Sequence, residues 1–172
     1  MGLGKGIVIG FIAALVLLAA GAYCYFAFGM APVATASKPM LFERYLAHRA
    51  LNAVLAKAAD RPSPVDASEP NLKSGVTVYR ENCAVCHGLP GQEMSNIAQG
   101  EFPKPPHLFR GKGVTDDSVG ETFWKVQNGI RLTGMPGFRG SLTDTQMWQV
   151  SQLLANADKL PASVKEELNR KE

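Results

Sequence analysis

Cys83-Ala84-Val85-Cys86-His87 constrains this chain more than any other stretch. Two cysteines separated by two residues and followed at once by a histidine read as a covalent haem attachment site. The thiols add to haem vinyl groups as thioethers, and the adjacent imidazole becomes the proximal iron ligand. On a helix this spacing holds both sulfurs on one porphyrin edge and leaves the histidine beneath the iron. Two other chemistries use similar spacings. A closed structural zinc site takes four protein ligands, and the remaining cysteine, Cys24, lies inside an apolar run. A redox dithiol of the thioredoxin kind belongs to a βαβ setting, which this sequence lacks.

Axial identity decides what a haem iron can do. Of the six methionines, Met94, Met135 and Met147 follow His87. Met94 is too close in sequence to cross the porphyrin face, and Met147 falls in a run patterned as a core-packing helix. Met135 lies in Thr133-Gly134-Met135-Pro136-Gly137-Phe138, where glycine permits close backbone approach and proline limits the loop's freedom. The reading is that Met135 faces the iron opposite His87; the alternative is an ordinary loop methionine. A His/Met pair raises the potential relative to more strongly donating pairs. It also closes the iron to substrate, so electron transfer is expected and turnover is not.

The surrounding pattern is helical. From Asn71 to Ala84, Leu72, Val76, Tyr79 and Cys83 keep helical spacing, and Gly75, Tyr79 and Cys83 share a face. Gly75 there allows another helix to cross closely. Thr143 is placed to cap a helix whose apolar stripe is Met147, Val150, Leu153 and Leu154, with Trp148 beside it. That helix is expected to cross the first near Gly75. Between them, Thr115-Asp116-Asp117 is expected to cap a third helix reaching about Gln127 and ended by Asn128-Gly129. Its Val119, Phe123, Trp124 and Val126 are candidates to wall a haem pocket, with ordinary core as the alternative for Trp124.

Gly75-x3-Tyr79-x3-Cys83-x2-Cys86-His87, then Pro105-Pro106-His107-Leu108, then Asn128-Gly129-Ile130 leading to Gly134-Met135-Pro136, form an ordered set. With Trp148-Gln149-Val150-Ser151-Gln152-Leu153-Leu154 at the end, residues from about 71 to 160 resemble a bacterial class I cytochrome c domain. The resemblance implies an all-α fold around one covalently bound haem c, with His87 and Met135 axial and Cys83 and Cys86 bonded. In such domains a proline carbonyl accepts a bond from the proximal imidazole, and Pro105 or Pro106 matches that position. Leu108, Trp124 and Pro136 complete the candidates for the haem's surroundings. Two departures stand out: His107 occupies a position often acidic in relatives, and Leu153 one often aromatic. His107 is read as a partly exposed loop histidine, the alternatives being a haem ligand or a propionate neighbour. Arg110, Lys112, Lys125, Arg131 and Arg139 lie among these segments as candidates for propionate pairing or docking, or as a solvated face.

Residues Ile7 to Phe28 form 22 uncharged, mostly apolar residues. A helix of that length spans about 33 Å, against a hydrocarbon core of about 30 Å. An uncleaved anchor over residues 1–30 is expected; Ala34-Thr35-Ala36 keeps a cleavable signal peptide open. Tyr23, Tyr25, Phe26 and Phe28 suit an interfacial aromatic belt, and Lys5 on the leading segment is weak positive-inside evidence. Haem attachment of this type takes place outside the bacterial cytoplasm, as the resemblance implies. The reading is a single pass of the inner membrane with the haem domain, residues 71–172, in the periplasm. Residues 31–70 read as a helical spacer over about 39–59, started at Pro39 and basic on one side through Arg44, His48, Arg49 and Lys57. It could lie on the membrane surface, dock on a partner or pack against the haem domain. A Pro-rich linker from Arg61 to Pro70 follows.

Charge adds one exclusion. Residues 71–172 hold 12 basic and 11 acidic residues, and no basic stripe with interleaved aromatics is present. Nucleic acid is therefore not an expected partner. The expectation is an electron carrier of a respiratory chain working between a membrane dehydrogenase or terminal oxidase and other cytochromes. A fixed subunit of such a complex is the alternative, and a haem sensor or peroxidase a more distant one.

Overall fold

The computed structural model describes residues 2–110 and 116–170, and among these all regular structure is helical. The helices are α1 (Leu3–Ala27), α2 (Glu43–Leu55), α3 (Glu69–Asn82), α4 (Ala84–His87), α5 (Asn96–Gly100), α6 (Val119–Asn128), α7 (Asp144–Ala155) and α8 (Ala162–Asn169). The all-α expectation holds. The chain divides into two compact units, residues 1–44 and 45–172.

In the first unit, α1 has no buried residue and is the one described helix long and apolar enough to cross a membrane. A signal sequence near an N-terminus has the same character. Further on, the Met40 N–H donates to the Glu43 carboxylate at 2.8 Å, and Phe42 adopts a left-handed backbone with φ 64°. These two features start α2 at Glu43. The expected start at Pro39 is therefore corrected: a bulky residue at positive φ interrupts any helix there.

In the second unit, α3 packs on α7, α7 on α6, and α8 on α3. Tyr79, Phe123, Met147, Leu153, Val76, Val150, Val164 and Leu168 are fully buried between them. Burying each large apolar side chain contributes about 1.5–3 kcal/mol relative to exposure. The crossing of α3 and α7 at Gly75 is as expected, since a β-carbon there would meet Gln149 O at 2.5 Å. Thr143 caps α7 in a box with Gln146, also as expected. The α8 helix was not anticipated. Its short pattern is closed from outside by Arg80, whose guanidinium donates to the carbonyls of Leu168 (3.1 Å) and Arg170 (2.8 Å).

Two boundaries differ from expectation. The stretch ending at Pro70 is linker only in part: Ser68 occupies the N-cap position of α3, and Pro70 lies in its first turn. Proline fits there because its missing N–H is one of the helix's unpaired donors anyway. The third helix is capped by Ser118, which accepts from Glu121 N–H while the Glu121 carboxylate accepts from Ser118 N–H. Both bonds of a capping box outweigh the acidic pair before it. Thr115 and Lys112 lie outside the described residues.

Within the second unit, residues 55–61 of the spacer pack against α6 and α7. Within this unit Leu55 and Ala58 are its buried apolar residues. The Ser118 hydroxyl donates to the Ala59 carbonyl at 2.9 Å, and a β-carbon on Gly120 would overlap the Ala58 carbonyl oxygen. Arg61 lays its guanidinium 4.5 Å from the Phe123 ring centroid and 5.3 Å from that of Trp148. Those two rings are stacked with centroids 3.8 Å apart.

Candidate functional site

Cys83 ends α3 and begins α4, so the chain turns a corner at the first thiol. Its carbonyl accepts from both Cys86 N–H (3.1 Å) and His87 N–H (2.9 Å), which winds the motif into one helical turn. Gly88 stops that turn at φ 73°, a backbone glycine adopts without steric cost. Both cysteines are free thiols, half-buried. Burial pushes the Cys83 thiol up to about 12, and the neighbouring Cys86 adds to the rise. The Cys86 thiol is raised too, by burial first and then by the hydrogen bond it donates to Glu101 Oε1 at 3.2 Å. Exchange dithiols work through a lowered thiol, so these two are poorly suited to disulfide chemistry. Among the described residues no group of three or more His, Cys, Asp or Glu side chains is arranged to hold a metal ion by itself.

His87 Nδ1 lies 2.7 Å from the Pro106 carbonyl oxygen. A carbonyl only accepts, so Nδ1 carries the proton and Nε2 is left with its lone pair. Burial lowers the His87 pKa, partly offset by the Pro106 bond and by the charge of Glu101, and so favours the neutral ring. A neutral imidazole with a free Nε2 and an anchored Nδ1 is the state a metal ligand needs. Of the two prolines named from sequence, the structure gives the bond to Pro106 and not to Pro105.

His107 is engaged elsewhere. Its Nδ1 accepts from the Phe109 N–H (3.2 Å) and its Nε2 lies 3.2 Å from the Gln92 carbonyl. With both ring nitrogens used, it serves as a partly buried loop brace rather than an iron ligand. Tyr79 supports the same loop: its buried hydroxyl donates to the Gly88 carbonyl at 2.6 Å, and its ring meets Phe109 edge-on.

Met135 is half-buried and packs against the core cluster, as do Cys83, Leu108 and Phe138. Its loop is fastened at several points. The Ile130 N–H donates to the Met135 carbonyl (3.2 Å), the Met135 N–H to the Thr133 hydroxyl (3.1 Å), and that hydroxyl to the Ile130 carbonyl (2.6 Å). Beyond it, Phe138 N–H donates to the Val126 carbonyl at 2.9 Å, tying the loop to the end of α6. Pro136 itself is exposed. Met147, by contrast, is fully buried in the helix core. Trp124 is turned toward the spacer: it lines an open groove with Val54, Lys57, Ala58, Asp60 and Arg61. Phe123 and Val126 face the core instead. Lys125 is held by Asp117 at 2.5 Å, and Arg139 by Gln127 and Asn128, so neither is a free surface cation.

Glu101 and Ser95 were not singled out from sequence. Ser95 caps α5 and donates its hydroxyl to the Val85 carbonyl at 2.5 Å, inside the cysteine motif. Glu101 follows α5 and reaches Cys86. The cap at Ser95 is local, but the contacts of Ser95 with Val85 and of Glu101 with Cys86 are not, because only the folded loop brings those partners together.

The all-helical fold and the Cys83–His87 turn resemble those of a c-type cytochrome domain. Residues 70–154 match the family described as cytochrome C oxidase, cbb3-type, subunit III, a match that implies covalently bound haem c and supports electron transfer by a cytochrome. No curated protein matches the chain. Among solved structures, a chain of the reducing HAO-like protein complex of Kuenenia stuttgartiensis is similar at 24% identity and a TM-score of 0.48. That match covers 55% of this chain and 46% of the other.

Proposed function

We propose that this protein is a membrane-tethered, periplasmic monohaem cytochrome c that passes single electrons between redox partners. Cys83 and Cys86 would hold the haem, and His87 and Met135 would ligate the iron. The observation that carries the reading is the His87–Pro106 bond of 2.7 Å, which prepares Nε2 as a ligand immediately after two thiols. The burial of Met147 and the fastening of the Met135 loop support Met135 as the second ligand. Bound haem supplies a one-electron iron couple. The chain's own residues would hold it: Cys83 and Cys86 through their sulfurs, His87 through an Nε2 that the Pro106 bond orients, and Met135 through its thioether. The α1 helix supports a single-pass anchor, which confines encounters to the membrane plane and raises effective concentration near membrane-bound partners.

A second reading makes the chain a fixed subunit of a terminal oxidase or dehydrogenase complex. The matched family's name, a subunit of a cbb3-type oxidase, favours it. Co-purification with large subunits in mild detergent supports the fixed subunit, and a lone chain supports the shuttle.

The test of the site is an absorption spectrum of oxidised and reduced protein, wild type beside Met135→Ala. Loss of the weak red-edge iron–thioether band in the variant supports His/Met ligation. A band that survives the substitution removes Met135 from the site. Retention in membranes through alkaline washing, with the N-terminal sequence intact, checks the anchor.

A further inference from the structure

Glu101 touches both segments that would enclose the haem. Oε1 accepts the Cys86 thiol at 3.2 Å. The same carboxylate stands so close to Gly134 that a β-carbon there would meet Glu101 Cδ at 2.6 Å and overlap Oε2. The side chain is fixed in place because α5 is fastened to the cysteine motif at its start, through Ser95 and the Val85 carbonyl. Glu101 is half-buried, and among the described residues the ion pairs join other carboxylates. Nothing in the haem-binding chemistry calls for an acid at this place. An aliphatic side chain would fill the same space between a sulfur and a glycine loop.

We propose that Glu101 is a potential-setting residue, whose fixed negative charge beside the Cys86 sulfur and the Gly134–Met135 loop favours ferric over ferrous haem. The proposal rests on the reading that Cys83 and Cys86 bind the haem and Met135 ligates it. Oxidation adds one positive charge to the iron–porphyrin unit, and a nearby carboxylate stabilises that charge by direct Coulomb attraction, strongly where water is excluded. Thioether formation removes the thiol proton and its hydrogen bond. The carboxylate would stay beside the Cys86 sulfur because α5 holds it there. A His/Met pair raises the potential, and Glu101 offsets part of that rise, matching the carrier to a lower-potential acceptor than the ligands alone would select.

The experiment is spectroelectrochemical titration of the haem-loaded full chain in detergent, for wild type, Glu101→Gln, Glu101→Asp and Glu166→Gln. Glu166 lies on α8 and controls for loss of any one negative charge. Glu101→Gln is expected to raise the midpoint so that the ferric:ferrous ratio at a fixed potential falls about three- to tenfold, tenfold being about 59 mV for one electron. Glu101→Asp is expected to keep most of the wild-type value, and the iron–thioether band stays in every variant. Should Glu101→Gln load haem poorly, Glu101→Leu reads the same charge deletion without a buried amide. An unmoved midpoint overturns the proposal, as does an equal shift in Glu166→Gln. A fallen midpoint with a lost thioether band also overturns it, since the side chain would then only prop the loop. Wild type without gel-stable haem sinks the underlying site assignment as well; gel-stable haem with an unmoved midpoint removes Glu101 alone.

Discussion

Gly75 lies directly against Gln149: a β-carbon on the glycine would stand 2.5 Å from the Gln149 carbonyl oxygen and 3.1 Å from Leu153 Cβ. The obstacle is the backbone of α7, which cannot rotate away as a side chain could. Gly75→Ala gains up to about 1 kcal/mol in helix propensity, but it must push α3 and α7 apart at their tightest crossing. Overpacking of this kind costs about 1–3 kcal/mol or more. The variant is therefore expected to be destabilised by about 2 kcal/mol, read as a lower midpoint in urea denaturation followed by helical circular dichroism.

Tyr79 is fully buried, and its hydroxyl is committed to the Gly88 carbonyl at 2.6 Å. Tyr79→Phe leaves that carbonyl without its donor, a loss of about 1–2 kcal/mol at neutral pH. Burial, with a smaller contribution from Cys83, pushes the phenol's pKa well above its ordinary value. Folding thus favours the protonated form, and the resulting stability is present below the unfolded pKa of about 10 and lost as pH rises past it. The gap between wild type and Tyr79→Phe should narrow from pH 7 to pH 11 in matched denaturation curves. A constant gap would show that the phenol ionises as easily folded as unfolded.

Ser118 does two jobs where Thr143 does one. Both close a capping box, but the Ser118 hydroxyl also donates to the Ala59 carbonyl at 2.9 Å. Ser118→Ala is expected to cost about 1–2 kcal/mol and Thr143→Ala about 0.5–1 kcal/mol. Thermal midpoints of the two variants should rank in that order. Limited proteolysis should also cut near Ala59 and Arg61 sooner in Ser118→Ala than in Thr143→Ala.

Leu132 is 80% exposed yet sits at φ 62°, in the left-handed region. An exposed leucine gains little from burial there and carries backbone strain of about 1–2 kcal/mol. Leu132→Gly relieves the strain at an unfolded-state entropy cost of about 0.5–1 kcal/mol. The substitution is expected to be neutral or to stabilise by up to about 1 kcal/mol, measured by denaturant midpoint. At an ordinary helical position such as Leu46, the same replacement is expected to destabilise.

Much of this was legible along the chain because the signals are local. Periodicity announces α3 and α7, and the glycine and tyrosine spacing before Cys83 marks the face they share. The box of Ser118 and Glu121 is equally local, but the acidic pair before it presents a competing cap signal. The late start of the spacer helix has no such local mark: Pro39 is a good helix start by itself, and only the positive φ at Phe42 shows the chain turning instead.

The sequence by itself determined the helical class and the Cys-x-x-Cys-His turn, because apolar period and cysteine spacing depend on neighbours within one or two turns. Tertiary structure decided which proline carbonyl meets His87, that Met147 is core and Met135 is not, and that His107 braces a loop. It also decided that Arg61 caps the Phe123–Trp148 stack and that Glu101 stands between Cys86 and Gly134. Those relationships join residues far apart in sequence. Their partners are selected by how packed helices place the loops between them, and no local pattern encodes that placement.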